Sequence, residues 1–209
     1  QWQSQHGNLF ASLLIGLNCP LSTAAQLALL AGVVAIDSAA KLLPREARSE
    51  LLLKWPNDVL LKGGKVAGML LESTSEAAPN RCKVVIGTGF NLATFPPDLE
   101  QPATSLAAHG GTATPAAAFH TLAAVTDAWL THWAEGVAFQ TVRRAWLDRA
   151  GPTGRPLRVR LHGEEAEGSY AGLDSGGALR LLMSDGAERR ISAGDVFFAT
   201  SKSIPNPIA

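Results

Sequence analysis

The chain has 209 residues, of which 46% are hydrophobic, enough for a buried core in one or two domains. Its 18 basic and 18 acidic residues balance, so charge gives no reason to expect duplex DNA or an anionic membrane as the main partner. The two cysteines, Cys19 and Cys82, lie far apart, which excludes a cysteine metal motif and disfavours a disulfide framework. This cysteine usage favours a reducing cytoplasm.

The first part of the chain predicts a strand, a long helix and a hairpin. An apolar run over residues 9–17 predicts the strand. The helix is predicted over residues 21–43, and Pro44 ends it. Because apolar residues surround this helix almost completely, and the run is too short and interrupted to span a membrane, we expect a core helix. Residues 54–73 then predict a strand, a glycine turn and a second strand.

The rest of the chain predicts one more strand, two helices and then a change of composition. The strand covers residues 83–92, a loop rich in proline and glycine follows, and helices are expected over residues 115–134 and 138–149. A linker rich in glycine and proline begins at Gly151. Beyond the linker, closely spaced short strands with Gly/Asp turns favour a small barrel, at residues 157–161, 168–173, 178–183 and 188–191. The prediction is therefore an α+β domain with a mixed sheet and flanking helices over residues 1–150, followed by a small all-β domain over residues 155–200.

The segment KWPNDVLLKGGKVAGMLLES, residues 54–73, gathers two lysines and a carboxylate on one hairpin. Lys54 and Asp58 precede the glycine turn, and Lys65 follows it. A lysine ammonium suits a carboxylate or phosphate oxygen, and Gly68 lets a ligand approach the backbone closely. A structural interpretation also exists, because Pro-Asn-Asp is ordinary turn chemistry. Asp58 either orients a lysine or accepts a proton from an attacking amine.

A second motif, GTGFN at residues 87–91, places two glycines in a strand. Gly87 and Gly89 indicate a bulge or a close approach of the backbone to a ligand. The motif is not a dinucleotide fingerprint, since the third glycine and the following helix are missing. Asn91 either offers hydrogen bonds to an adenine edge or forms part of a turn. The histidines show no ligand spacing, and no metal site is predicted.

These motifs resemble those of the biotin protein ligases, which carry KWPND, then K-[VL]-A-G, and on a later strand G-[IT]-G-[IFV]-N-[VL]. The start of the chain, W-x-S-x-x-G-N-L-x-x-S from Trp2, resembles the segment after that family's Gly/Arg-rich ligand loop. Residues 103–106 resemble a family loop near the nucleotide. The resemblance covers nearly the whole chain and implies that the C-terminal domain is an SH3-like barrel. Because the Gly/Arg loop is not in the sequence, we expect the chain to be a fragment that lacks its N-terminal part.

The resemblance also implies a role for each motif residue. Lys65 would hold the biotin carboxylate and the acyl-phosphate oxygens. The residues implied in catalysis are Lys65, Asp58 and Lys54; those for biotin are Lys65, Gly68, Gly87 and Gly89; those for ATP are Asn91, Lys65 and Trp2. Mg²⁺ would enter with ATP.

The implied reaction has two steps. Biotin reacts with MgATP to give biotinyl-AMP and pyrophosphate, and a lysine of a biotin carboxyl carrier protein, in acetyl-CoA carboxylase or a related carboxylase, then displaces AMP. This chemistry needs no covalent protein nucleophile, and the sequence offers none. A lipoate- or octanoate-type ligase and a non-catalytic biotin-binding regulator stay open as alternatives. No membrane partner is expected, DNA is a partner only if an unseen helix-turn-helix precedes the chain, and a homodimer is left open.

Overall fold

The computed structural model describes residues 5–76, 80–97, 101–161 and 164–198. The chain divides into two compact units, Gln1–Gly151 and Pro152–Ala209, and the division falls in the linker rich in glycine and proline. The first unit combines a five-stranded sheet with helices, and the second contains another five-stranded sheet. The predicted α+β class is therefore confirmed.

The first unit builds its sheet in the order β1-β5-β4-β3-β2, with every neighbouring pair antiparallel. The prediction of a mixed sheet was therefore wrong for these strands, because β2 to β5 follow one another through short turns and loops, which join antiparallel neighbours. Among the described residues, one isolated bridge adds a parallel pairing, between Lys65 of β4 and Ala103. The elements are β1 Leu9–Leu17, α1 Leu21–Ala24, α2 Leu27–Leu42, β2 Leu51–Lys54, β3 Asp58–Leu61, β4 Gly64–Ser75, β5 Cys82–Phe90, α3 Pro115–Trp133 and α4 Phe139–Leu147. Short 3₁₀ turns lie at Arg45–Glu50, Ala107–His109 and Ala134–Gly136.

The single helix predicted over residues 21–43 is divided into α1 and α2. At the junction the backbone tightens to bonds between residues three apart, as from the Gln26 N–H to the Thr23 carbonyl at 3.1 Å. The predicted position in the core is confirmed, since Leu27 and Leu30 are fully buried. Leu21–Leu42 has the length and hydropathy of a membrane span, but 67% of its apolar window is buried within the protein.

The predicted hairpin is a three-stranded meander, and the sequence analysis was wrong to place the KWPND cluster within one strand. Residues 55–57 form the turn that joins β2 to β3, and Lys54 pairs with Asp58 across it. Pro56 has no N–H to donate to a strand neighbour, so pairing stops there. The Asn57 side-chain amide then ties this turn to β4 by donating to the Met69 carbonyl at 2.8 Å.

The sheet of the first unit has one face against the helices and one open face. Directly paired residues of neighbouring strands share a face. On the helix side, Ala67, Met69 and Thr88 are buried. The open face, as we name it, is defined by two rows of paired residues: Phe10, Gly89, Gly68, Asp58 and Lys54 across all five strands, and Ser12, Gly87 and Leu70 beside them.

The second unit is an antiparallel sheet in the order β10-β6-β7-β8-β9. Its strands are β6 Pro156–Leu161, β7 Glu164–Leu173, β8 Leu179–Leu182, β9 Glu188–Ile191 and β10 Asp195–Phe198. Val159, Leu179 and Leu181 are fully buried and form its core. The sequence analysis missed β10, because a four-residue strand directly after Gly194 looks like the continuation of a turn.

Candidate active site

Three charged side chains meet on the strands β2, β3 and β4. Asp58 Oδ1 lies 2.6 Å from Lys65 Nζ, and Asp58 Oδ2 lies 2.9 Å from Lys54 Nζ. One carboxylate therefore bridges two ammonium groups, and the trio carries one net positive charge. Because the Lys54 side chain is 5% exposed and that of Lys65 is 37% exposed, Lys65 presents this charge to solvent.

The buried ammonium of Lys54 is satisfied from two sides. In addition to Asp58, it donates a hydrogen bond to the Gln101 side-chain carbonyl. A buried charge without such partners would be very costly. Lys54 is thus a fixed counter-charge for Asp58, and Asp58 in turn fixes the end of Lys65.

Gly68 makes room for this arrangement. A Cβ at Gly68 would lie 2.7 Å from Lys65 Cε, 2.8 Å from Lys65 Nζ and 3.2 Å from Asp58 Oδ1. The first two distances are shorter than side chains tolerate, so the lysine crosses the β4 backbone where only glycine fits. Gly68, which the sequence suggested as a ligand contact, therefore also provides the space for the Lys65 side chain.

Two neighbouring glycines, Gly87 and Gly89, form a floor on the open face. Among the described residues, a Cβ at Gly87 would meet only Leu70, at 3.6 Å from its carbonyl oxygen. Gly89 lies in the same row as Gly68. Exposed apolar side chains flank this floor, with Leu14 at 64%, Leu70 at 65% and Phe10 at 38% exposure. A flat apolar surface with a cation at one end suits an apolar acid whose carboxylate reaches Lys65.

The side chain of Asn91 makes hydrogen bonds within the protein that the sequence did not indicate. Its side-chain amide donates to the Thr104 carbonyl at 3.1 Å and to the Lys65 carbonyl at 3.3 Å. Both donors of the amide are thus used within the protein, and Oδ1 is the atom left to face a ligand. A contact with adenine would therefore use Asn91 as an acceptor.

Residues 101–106, which we call the strap, complete the surroundings of Lys65. The Lys65 N–H donates to the Pro102 carbonyl at 2.8 Å, and the Thr104 N–H donates to the Lys65 carbonyl at 3.0 Å. The contact of Gln101 with Lys54 and the two backbone hydrogen bonds of the strap to Lys65 were not predicted from the sequence. No spacing in the sequence links the strap to the hairpin. Trp2, expected at the ATP site, lies outside the described residues.

Comparisons with known proteins agree with the motifs. The model described as Biotin/lipoate A/B protein ligase family matches residues 1–91, and that described as Biotin protein ligase C terminal domain matches residues 153–199. The chain is 34% identical over 204 residues to the biotin–[acetyl-CoA-carboxylase] ligase of Paracoccus denitrificans. This alignment covers 95% of this chain and 83% of that protein. The chain is 31% identical over 199 residues to the bifunctional ligase/repressor BirA of Bacillus subtilis (strain 168), covering 92% of this chain and 59% of the relative.

A solved structure shows the same fold. The biotin protein ligase of Aquifex aeolicus in complex with biotin and ATP superposes with a TM-score of 0.75 at 22% identity, over 95% of this chain and 82% of that one.

Proposed function

We propose that this chain, which belongs to the biotin protein ligases of the Biotin/lipoate A/B protein ligase family, activates biotin with ATP and transfers it to a lysine of a biotin carboxyl carrier protein. The observation that carries the proposal is Lys65, held by Asp58 at the end of the glycine floor on the open face. The carrier is the acceptor domain of acetyl-CoA carboxylase or a related carboxylase, and the reaction takes place in the cytoplasm.

The first step brings two anions together. A carboxylate oxygen of biotin attacks the α-phosphorus of MgATP, the bond to pyrophosphate breaks, and biotinyl-AMP forms. A preorganised cation lowers the repulsion between the reactants and stabilises the charge that develops at phosphorus. Lys65 supplies this cation across Gly68, and the glycine floor of Gly87 and Gly89 supports the apolar part of biotin.

The second step transfers the acyl group. The amine of the carrier lysine attacks the carbonyl carbon of the mixed anhydride, the bond from that carbon to the phosphate oxygen breaks, AMP leaves and the amine proton passes to solvent. Both oxygens of Asp58 already face an ammonium group, at 2.6 and 2.9 Å, which supports an orienting role for Asp58 in preference to a role as general base. Lys54, which contacts Asp58 and Gln101, keeps Asp58 in place, and a direct part for Lys54 in catalysis stays a prediction.

ATP is held by Lys65 at the phosphate and by Asn91 Oδ1 at the adenine, and Trp2 stays a prediction for this site. Mg²⁺ accompanies the nucleotide as part of the substrate. DNA binding stays conditional on a helix-turn-helix before this chain, and a homodimer stays open.

Exchange of labelled pyrophosphate into ATP, measured on the full-length protein separately with biotin, lipoate and octanoate, tests the choice of acid. We expect exchange with biotin alone. Exchange with lipoate or octanoate but not with biotin would transfer the assignment to the lipoate-type ligases. Tight binding of biotin without exchange would favour a non-catalytic regulator.

A further inference from the structure

Lys65 lies at an irregular point of its strand. Val59 pairs with Ala67, but the next residue of β3, Leu60, pairs with Lys65, so Val66 is an extra residue in β4. Such a bulge redirects the side chains beside it, and bulges are frequent next to active sites. The backbone of Lys65 therefore needs support from outside the ladder of β3 and β4.

That support comes from the strap and from Asn91. The strap bonds to both the N–H and the carbonyl of Lys65. Asn91 connects three segments at this point. Its backbone N–H donates to the Val66 carbonyl at 2.8 Å, its carbonyl accepts from the Leu106 N–H at 2.9 Å, and its side chain donates to the carbonyls of Lys65 and Thr104.

The ammonium of Lys65 has a defined position relative to its neighbours. The Lys65 side chain crosses Gly68 in a space that a single methyl group would block, and its ammonium lies 2.6 Å from Asp58. A change of some tenths of an ångström at the Lys65 carbonyl therefore moves the ammonium relative to the floor.

We propose that Asn91 is a positioning residue for Lys65, and that it determines the affinity for the substrate carboxylate even when no nucleotide is bound. This role rests on the proposed function, in which Lys65 is the cation that holds that carboxylate. A residue that served the adenine alone would leave biotin binding without nucleotide unchanged. A residue that positions Lys65 acts at the carboxylate, and its effect vanishes once Lys65 is removed.

A double-mutant cycle on biotin binding, measured by calorimetry without nucleotide, tests this role. Its members are the wild-type protein, Asn91→Ala, Lys65→Ala and the double variant. We expect Asn91→Ala to weaken biotin binding about tenfold, as for the loss of a positioned charge-assisted contact, and the double variant to bind no more weakly than Lys65→Ala. Asn91→Asp keeps the size and Oδ1, removes both donors and adds a negative charge facing two carbonyl oxygens, so we expect at least the same loss from it.

Asn8 provides the matched control. Its side chain also ties loops together, since Oδ1 accepts from the N–H groups of Ala93 and Thr94 and Nδ2 donates to the Thr94 carbonyl, but it does not touch Lys65. We expect Asn8→Ala to lower the melting temperature, with any effect on biotin binding independent of Lys65.

Two results would overturn the positioning role: wild-type affinity in Asn91→Asp, or a double variant in which the two single losses multiply. If Lys65→Ala itself bound biotin normally, the proposed function would fail instead. Loss in Lys65→Ala without loss in either Asn91 variant would remove only the role of Asn91.

Discussion

A methyl group at Gly68 tests whether Lys65 works from the position that the structure gives it. In Gly68→Ala the new Cβ would lie 2.7 Å from Lys65 Cε and 2.8 Å from Lys65 Nζ. The obstructing atoms are at the far end of a flexible side chain, so we expect the Lys65 side chain to move and the β4 backbone to keep its position. The ammonium then leaves Asp58, from which it is 2.6 Å in the wild-type protein.

The expected cost follows from that contact. A charge-assisted hydrogen bond is worth about 1.5–3 kcal/mol, which corresponds to a loss of about ten- to a hundredfold in kcat/KM for biotin. The free energy of unfolding should change little, because the Lys65 side chain is 37% exposed and an exposed ion pair contributes little.

The assay is biotin-dependent pyrophosphate exchange, combined with thermal melting of the same protein samples. Gly16→Ala is the matched control, since Gly16 lies on the open face of β1 and its new Cβ would have no neighbour within 4 Å in the described part of the chain. If Gly68→Ala and Gly16→Ala had the same kcat/KM for biotin, Lys65 would not need the space above Gly68.

Four further outcomes are expected. Lys65→Ala should lower the rate of adenylation by at least about tenfold while the protein stays folded, and a normal rate would remove Lys65 from the mechanism. Gly87→Ala, whose Cβ meets nothing closer than 3.6 Å, should keep its melting temperature but bind biotin more weakly, as calorimetry would show; normal binding would place biotin away from the floor. Burial raises the pKa of the Cys19 thiol to about 11, so at neutral pH the native protein should resist iodoacetamide at Cys19 until urea unfolds it, and rapid alkylation detected by mass spectrometry would contradict this. Arg149→Ala removes two contacts of 2.9 Å to Asp37 and should cost about 1–2 kcal/mol in urea unfolding, whereas an unchanged midpoint would show that the pair adds nothing.

Local patterns predicted much of the fold, because they report on single elements. The apolar run of β1 and the all-round apolar helix predicted positions that the structure confirms. Elements defined by partners elsewhere in the chain were harder to predict. Strand β10 exists through its pairing with β6. The turn after Lys54 was different, because its Pro-Asn-Asp sequence already offered a turn as the structural interpretation.

In the candidate site, too, the residues of local motifs were predicted and the contacts between distant residues were not. The motifs indicated Lys65, Asp58 and Lys54, and the structure brings all three together. Gln101 is 47 residues from Lys54 in the chain, and no spacing rule links an amide to a lysine at that distance. The donors of Asn91 also look free in a sequence, because only the fold shows that they are directed at the carbonyls of Lys65 and Thr104.

Transfer to a carrier protein tests the central claim most directly. The protein is incubated with biotin, MgATP and a purified biotin carboxyl carrier domain, and the mass of the carrier is measured over time, with Lys65→Ala in parallel. We expect the wild-type protein to add one biotin to the carrier lysine and Lys65→Ala to do so at least about tenfold more slowly. A carrier that stays unmodified with the wild-type protein, or is modified equally fast by Lys65→Ala, would contradict this expectation.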